Sequence, residues 1–205
     1  MLEASRSPAM KHPLFATLLC LSVLGATSSY AADKSPAAST LTTIPALDVN
    51  RYMGTWFEIA KYPNWFQRKC TGATRAHYSQ QSDGTVQVIN RCQTEHKEMI
   101  EAMGTARQMG PASSPKLEVR FAPAWLSFLP FVWGDYWVID LDEDYQLVAV
   151  SEPKKEYLWI LSRTAKVDPV RYQSLLTRLQ QKGFDLRRLE MTQQDIKASR
   201  AEDAK

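Results

Sequence analysis

LDVNRYMGTWFEIAKY, residues 47–62, decides the fold. Gly54-Thr55-Trp56 opens a strand, and Trp56, Glu58, Ala60 and Tyr62 then alternate with Phe57, Ile59 and Lys61, the two-residue period of an extended chain. Far downstream Tyr157–Arg163, YLWILSR, reads as a second Trp-bearing strand. Short strands separated by turns fill the space between them. Thr71–Gln81 and Thr85–Cys92 flank Ser82-Asp83-Gly84, where Gly84 is free to take positive φ. Ile100–Ala106 and Lys116–Phe121 flank Gly110-Pro111. Tyr136–Asp140 and Gln146–Ser151 flank the acidic turn Asp142-Glu143-Asp144, and Leu158–Arg163 closes the series. From Val167 the period changes: Val170, Leu175, Leu176 and Leu179 recur at helical spacing, with Asp168-Pro169 as start and Gly183 as stop. Eight antiparallel strands followed by one helix predict an all-β fold. It is an eight-stranded up-and-down antiparallel β-barrel with one C-terminal α-helix packed outside. An immunoglobulin-type sandwich also uses many short strands, but the single amphipathic helix after the last strand argues against it.

The ends of the 205-residue chain read differently. Met10-Lys11-His12 gives a positive start, Leu14 to Ala26 an apolar run, and Ser29-Tyr30-Ala31 a small-x-small cleavage site. Residues 1–31 are therefore expected to be a removed secretory signal; the run falls short of the roughly 20 apolar residues of a membrane span. Cys20 is not expected to carry a lipid anchor, because Leu19 before it is not small and the cysteine lies within the run. Residues 32–46, rich in Ala, Ser, Thr and Pro, read as a flexible leader; 47–194 as the barrel plus helix; 195–205 as a disordered tail. Loss of Arg6, Lys11 and Glu3 with the signal takes the net charge from +3 to +2. No Lys/Arg cluster suggests a nucleic-acid partner. Cys70 and Cys92 remain in an exported chain and read as a disulfide, with two separate buried thiols or a reactive free Cys as the alternatives.

Gly54-x-Trp56 preceded by Asn50-Arg51-Tyr52, Gly134-Asp135-Tyr136 entering Trp137–Asp140, and Arg163 at the end of the last strand occur in one order. In this the chain resembles the bacterial lipocalins of the outer membrane and periplasm, a group similar to apolipoprotein D. The resemblance covers roughly 47–194. It implies that Gly54, Trp56 and Arg163 form a structural motif in which the Arg163 guanidinium lies over the Trp56 indole, worth about 0.5–2 kcal/mol. Neither residue is expected to be catalytic.

Strand parity with Trp56 inward also turns Glu58, Ala60 and Tyr62 inward. By resemblance the other inward sets include Thr74, Ala76, Tyr78; Val86, Val88, Asn90; Ala102, Gly104, Ala106; Leu117, Val119, Phe121; Tyr136, Val138; Leu147, Ala149, Ser151; and Trp159, Leu161. The expected ligand-binding residues are Tyr78, Val88, Ala102, Gly104, Phe121, Tyr136, Val138, Ala149, Trp159 and Leu161. Small residues on the fourth strand favour a cavity over a filled core. Glu58 needs a partner inside the barrel, and Asn90, Arg163 or water near the base are the expected ones. The residues between Phe121 and Trp133 are unusually apolar for a loop. Trp125, Phe128, Phe131 and Trp133, with Trp65 and Phe66, are expected at the mouth as a lid, as a contact with a second subunit, or on a membrane surface.

The inward faces carry no acid–base pair, and the three His residues are scattered, so no catalytic residue, metal or cofactor is expected. The resemblance implies an exported protein, periplasmic or peripheral to the outer membrane. Its implied function is to bind a fatty acid, lysophospholipid or similar amphiphile. The rival readings are an interaction protein working through the Trp125–Trp133 loop and a lipocalin-type enzyme or pigment binder.

Overall fold

The computed structural model describes residues 40–194; the expected signal, Cys20 and the 195–205 tail lie outside them. Eight strands form the barrel: β1 (Gly54–Lys61), β2 (Gly72–Gln80), β3 (Val86–Gln93), β4 (Met99–Gln108), β5 (Lys116–Arg120), β6 (Gly134–Leu141), β7 (Leu147–Ser151) and β8 (Leu158–Ser162). Each pairs antiparallel with the next, and β8 returns to β1 with Phe57 opposite Ser162 and Lys61 opposite Trp159. Closure removes the sheet edges except where β2 parts from β1 beyond Phe57.

A short helix, α1 (Val49–Tyr52), precedes β1 and is capped by Asp48, whose side chain accepts from the Arg51 amide. It carries Tyr52 across one end of the barrel, where the phenol ring lies 5.1 Å from that of Trp56. The long helix α2 (Pro169–Gln181) begins where expected, with Asp168 accepting from the Arg171 amide and Pro169 in the first turn. It stops before Gly183, which takes φ +84°. Leu175 and Leu179 are fully buried against Ile59, Ile139, Leu158 and Ile160. Burial of such a side chain contributes roughly 1.5–3 kcal/mol. Arg178 pins the helix through two 2.8 Å bonds to Asp140.

The core therefore has two layers, one inside the barrel and one between barrel and helix. The end of the expected leader belongs to the second: Leu41 is buried there, and the Ile44 amide donates to the Val138 carbonyl. Residues 40–46 thus lie on the barrel instead of hanging free of it.

One strand was not anticipated. After α2 the chain returns as β9 (Glu190–Met191), pairing with Ala60 and Lys61 where β2 parts from β1. The strap runs on between the two: the Thr192 amide donates to Ile59, and the Ala73 amide donates to Gln193. Gly72 permits the approach, since a Cβ there would meet the Gln193 carbonyl oxygen at 2.7 Å.

Inward parity fails at two irregularities. A bulge between Glu58 and Ala60 turns Ile59, Ala60 and Tyr62 all toward the helix layer, so Ala60 and Tyr62 do not face inward as expected. In β7 the expected inward set Leu147, Ala149, Ser151 is shifted by one. Val148 opposes Leu161 and Val150 opposes Trp159, so the valines face in, while Leu147 and Ala149 pack in the helix layer. All of β7 is buried; covered on both faces, it offers no polar alternation from which parity can be read.

Candidate functional site

The base of the barrel is built from the segment that decided the fold. Trp56 is completely buried, its indole N–H donates to the Tyr52 carbonyl, and the Arg163 guanidinium lies 3.9 Å from its ring centre. Arg163 is held by three backbone carbonyls, those of Tyr145, Thr55 and Arg51. Gly54 sits at φ +93°, and a Cβ would lie 3.3 Å from Arg163 Nη1. Backbone conformation and space both call for glycine.

Above this base lies a cavity of about 880 Å³. Of the expected ligand-binding residues, Tyr78, Val88, Ala102, Phe121, Tyr136, Trp159 and Leu161 line it. Val138 is buried in the same inner core without reaching the cavity surface, and Ala149 lies in the helix layer. Gly104 has the expected parity, opposite Val88, but is not on the wall. The Phe121 ring and the Arg120 carbonyl fill its Cβ position, each within 2.8 Å.

The cavity opens at the end away from α1, where Trp65, Phe66, Phe131 and Trp133 line it. Phe66, Tyr157 and Trp159 stack on one another at centroid distances of 5.6–6.0 Å. Trp133 is anchored, donating to the Ser127 carbonyl with Arg107 over its ring at 4.0 Å. Trp125 and Phe128, expected at the mouth, lie off the cavity lining and are 73% and 75% exposed. The Cys70–Cys92 disulfide is formed, with Cα atoms 5.5 Å apart. Cys70 lies in the turn before β2, its amide donating to Gln67, so the bridge ties the Trp65-Phe66 loop to β3.

Glu58 is buried and faces the cavity. Neither Asn90 nor Arg163, the side chains expected beside it, is the partner it takes. Gln67 donates to one carboxylate oxygen at 2.7 Å and Thr192 to the other at 2.6 Å. Gln67 in turn accepts from the Trp159 indole at 3.0 Å. Burial pushes the Glu58 pKa up from 4.5, opposed by these hydrogen bonds and by the charge of Lys61.

At the base three phenols meet. Tyr136 Oη lies 2.7 Å from Tyr52 Oη and 3.0 Å from Tyr78 Oη, and all three rings line the cavity. Burial raises all three pKa values, that of Tyr78 to about 12. Strand parity reached Tyr78 and Tyr136; Tyr52 and Gln67 lie in non-strand segments, for which parity says nothing. Among the described residues, no group of three His, Cys, Asp or Glu side chains is arranged to hold a metal ion.

Comparison with known proteins agrees with this geometry. Residues 47–194 match the family model described as a lipocalin-like domain. Temperature-induced lipocalin-1 of Arabidopsis thaliana is 42% identical over 154 residues, covering 74% of this chain and 81% of its own. Outer membrane lipoprotein Blc of Escherichia coli (strain K12) is 36% identical over 155 residues, covering 75% and 83%. Insecticyanin of the tobacco hornworm Manduca sexta superposes with a TM-score of 0.60 at 17% identity, covering 77% and 86%, a likeness of fold alone.

Proposed function

The chain belongs to the lipocalin family, and from that premise we propose that it binds one small amphiphilic lipid, a fatty acid or lysophospholipid, inside the barrel and carries or stores it in the bacterial envelope. The cavity of about 880 Å³, apolar on most of its wall and open at one aromatic-rimmed end, carries this reading. That volume lies within the range of sites that enclose most of a small ligand. An acyl chain would leave water against Val88, Phe121, Trp159 and Leu161, at about 25 cal/mol per Å² of apolar surface. After the costs of ordering, micromolar affinity is the expected scale. The charged head group stays at the mouth, beside Trp65 and Phe66. The named relative in Escherichia coli is an outer membrane lipoprotein, and the disulfide suits an oxidising compartment; both support the envelope. The function is binding and release, as is general in this family, with no chemical step.

The test is a titration of delipidated protein with an eighteen-carbon fatty acid and its lysophospholipid, followed by tryptophan fluorescence. Saturable quenching that is lost in Trp159→Phe supports the reading. No response from a folded protein to either lipid overturns it.

A second reading rests on the β5–β6 loop. Trp125, Phe128 and Phe131 are 73%, 75% and 80% exposed, and large apolar side chains grouped on a surface mark interaction sites. A membrane or a second subunit would cover them. Trp125→Ser with Phe128→Ser, both off the cavity lining, should abolish vesicle flotation and leave lipid titration intact if the loop docks on membranes.

A further inference from the structure

We infer that the cavity selects ligands whose buried end carries a neutral hydrogen-bond acceptor, a ketone, ester carbonyl or hydroxyl oxygen, received by the Tyr52–Tyr136–Tyr78 cluster. The inference rests on the carrier reading and narrows it: among ligands that keep a charged head at the mouth, those whose buried end bears an oxygen bind more tightly than those that end in plain hydrocarbon.

The cluster is placed by the fold's closed end. Tyr52 is the last residue of α1 and Tyr78 stands opposite Gly54 on β2. Tyr136 bridges their hydroxyls at 2.7 and 3.0 Å. Tyr52 and Tyr78 are buried, and all three side chains reach the cavity surface. Each phenol has one hydrogen to donate. The two hydrogen bonds within the cluster use two of the three hydrogens, and no described residue outside the cluster bonds to these hydroxyls. One O–H is therefore left to serve the cavity. Water can serve it while the cavity is wet. A hydrocarbon end that displaces the water strands a buried donor, which is costly, whereas an oxygen-bearing end restores the bond.

The surroundings favour a neutral acceptor. Burial pushes all three phenols up, so the local environment resists negative charge. Arg163, the nearest base-end cation, is committed to three backbone carbonyls and the Trp56 face. Arg75 also lines the cavity but is three positions along β2 from Tyr78, roughly 10 Å at the rise of a strand. A carboxylate at the base would have to rely on Arg163, whose charge acts on Tyr52 and Tyr78 but is outweighed there by burial, while a ketone or hydroxyl needs no counter-ion.

The test compares a long-chain methyl ketone with the alkene in which a methylidene group replaces its carbonyl oxygen, each displacing a fluorescent fatty acid from delipidated protein. Wild type should bind the ketone about tenfold more tightly than the alkene. Tyr52→Phe or Tyr78→Phe alone still leaves one spare O–H, and Tyr136→Phe leaves two, so each single change should keep the preference. Tyr52→Phe, Tyr78→Phe and Tyr136→Phe together retain the rings, leave no orphan, and should erase it. A ratio unchanged in the triple variant overturns the inference. Should that variant not fold, the wild-type ratio decides, and a value at or below one overturns it. Failure of both ligands to displace a bound probe also overturns it, with the carrier reading left standing. A probe that never binds overturns both.

Discussion

Arg163, half-buried, and Glu58, buried, show how differently two ionisable side chains are accommodated in one small barrel. Arg163 has three carbonyl acceptors and an indole face. Replacing it with Ala strands those carbonyls and uncovers Trp56, and should cost about 2–4 kcal/mol in urea denaturation. Arg163→Lys should recover little, because an ammonium cannot reproduce the planar fork. Glu58 is held by two donors, and burial still raises its pKa above 4.5. The raised value means that the folded state holds the proton more tightly than the unfolded chain. The resulting stability is present below the unfolded pKa and is lost as pH rises through the folded one. Wild type should therefore lose stability relative to Glu58→Gln as pH climbs from the mid-4s toward neutrality, read from urea midpoints of the two proteins at each pH. A difference independent of pH would mean that Glu58 titrates alike in both states.

At the scale of elements, the β9 strap and α2 hold the barrel from outside. Gly72→Ala puts a methyl group against the Gln193 carbonyl oxygen, 2.7 Å away. The strap should detach, and the Ala73 and Thr192 amides, which it pairs, should lose hydrogen-exchange protection before the rest of the sheet. Leu179→Ala, at a fully buried contact of α2, should cost about 2–5 kcal/mol in the same denaturation assay. These elements also mark where the sequence could be read. Strands with one wet face, and the helix with its Asp168-Pro169 start, announce themselves through period and capping. β7 does not reveal its facing, because α2 covers its outer side and every residue in it is apolar or small. The bulge at Ile59 leaves no mark in residue type, yet it redirects Ala60 and Tyr62. β9 has two residues and owes its strand form to an opening between β1 and β2 that exists only in the folded barrel. The cavity wall was legible where alternation held, at Tyr78, Val88 and Trp159; Tyr52 and Gln67 reach it from a helix and a loop.

For the whole molecule, the layout separates stability from ligand capacity. The helix layer, the Trp56–Arg163 base and the Cys70–Cys92 bridge support the frame, so the inner space need not be filled to keep the fold. Loss of the bridge in Cys70→Ser/Cys92→Ser should cost roughly 3 kcal/mol and loosen the loop bearing Trp65 and Phe66 more than the base. Ala102 lines the cavity on β4 and is itself exposed, so a larger side chain there can enter open space without overpacking. The most direct measurement is native mass spectrometry of the delipidated protein equilibrated with an eighteen-carbon fatty acid, beside Ala102→Trp. One lipid per wild-type chain, and markedly reduced occupancy in the folded variant, is the predicted result. Equal occupancy in both, or several lipids bound without saturation, would place the lipid outside the barrel and contradict the account.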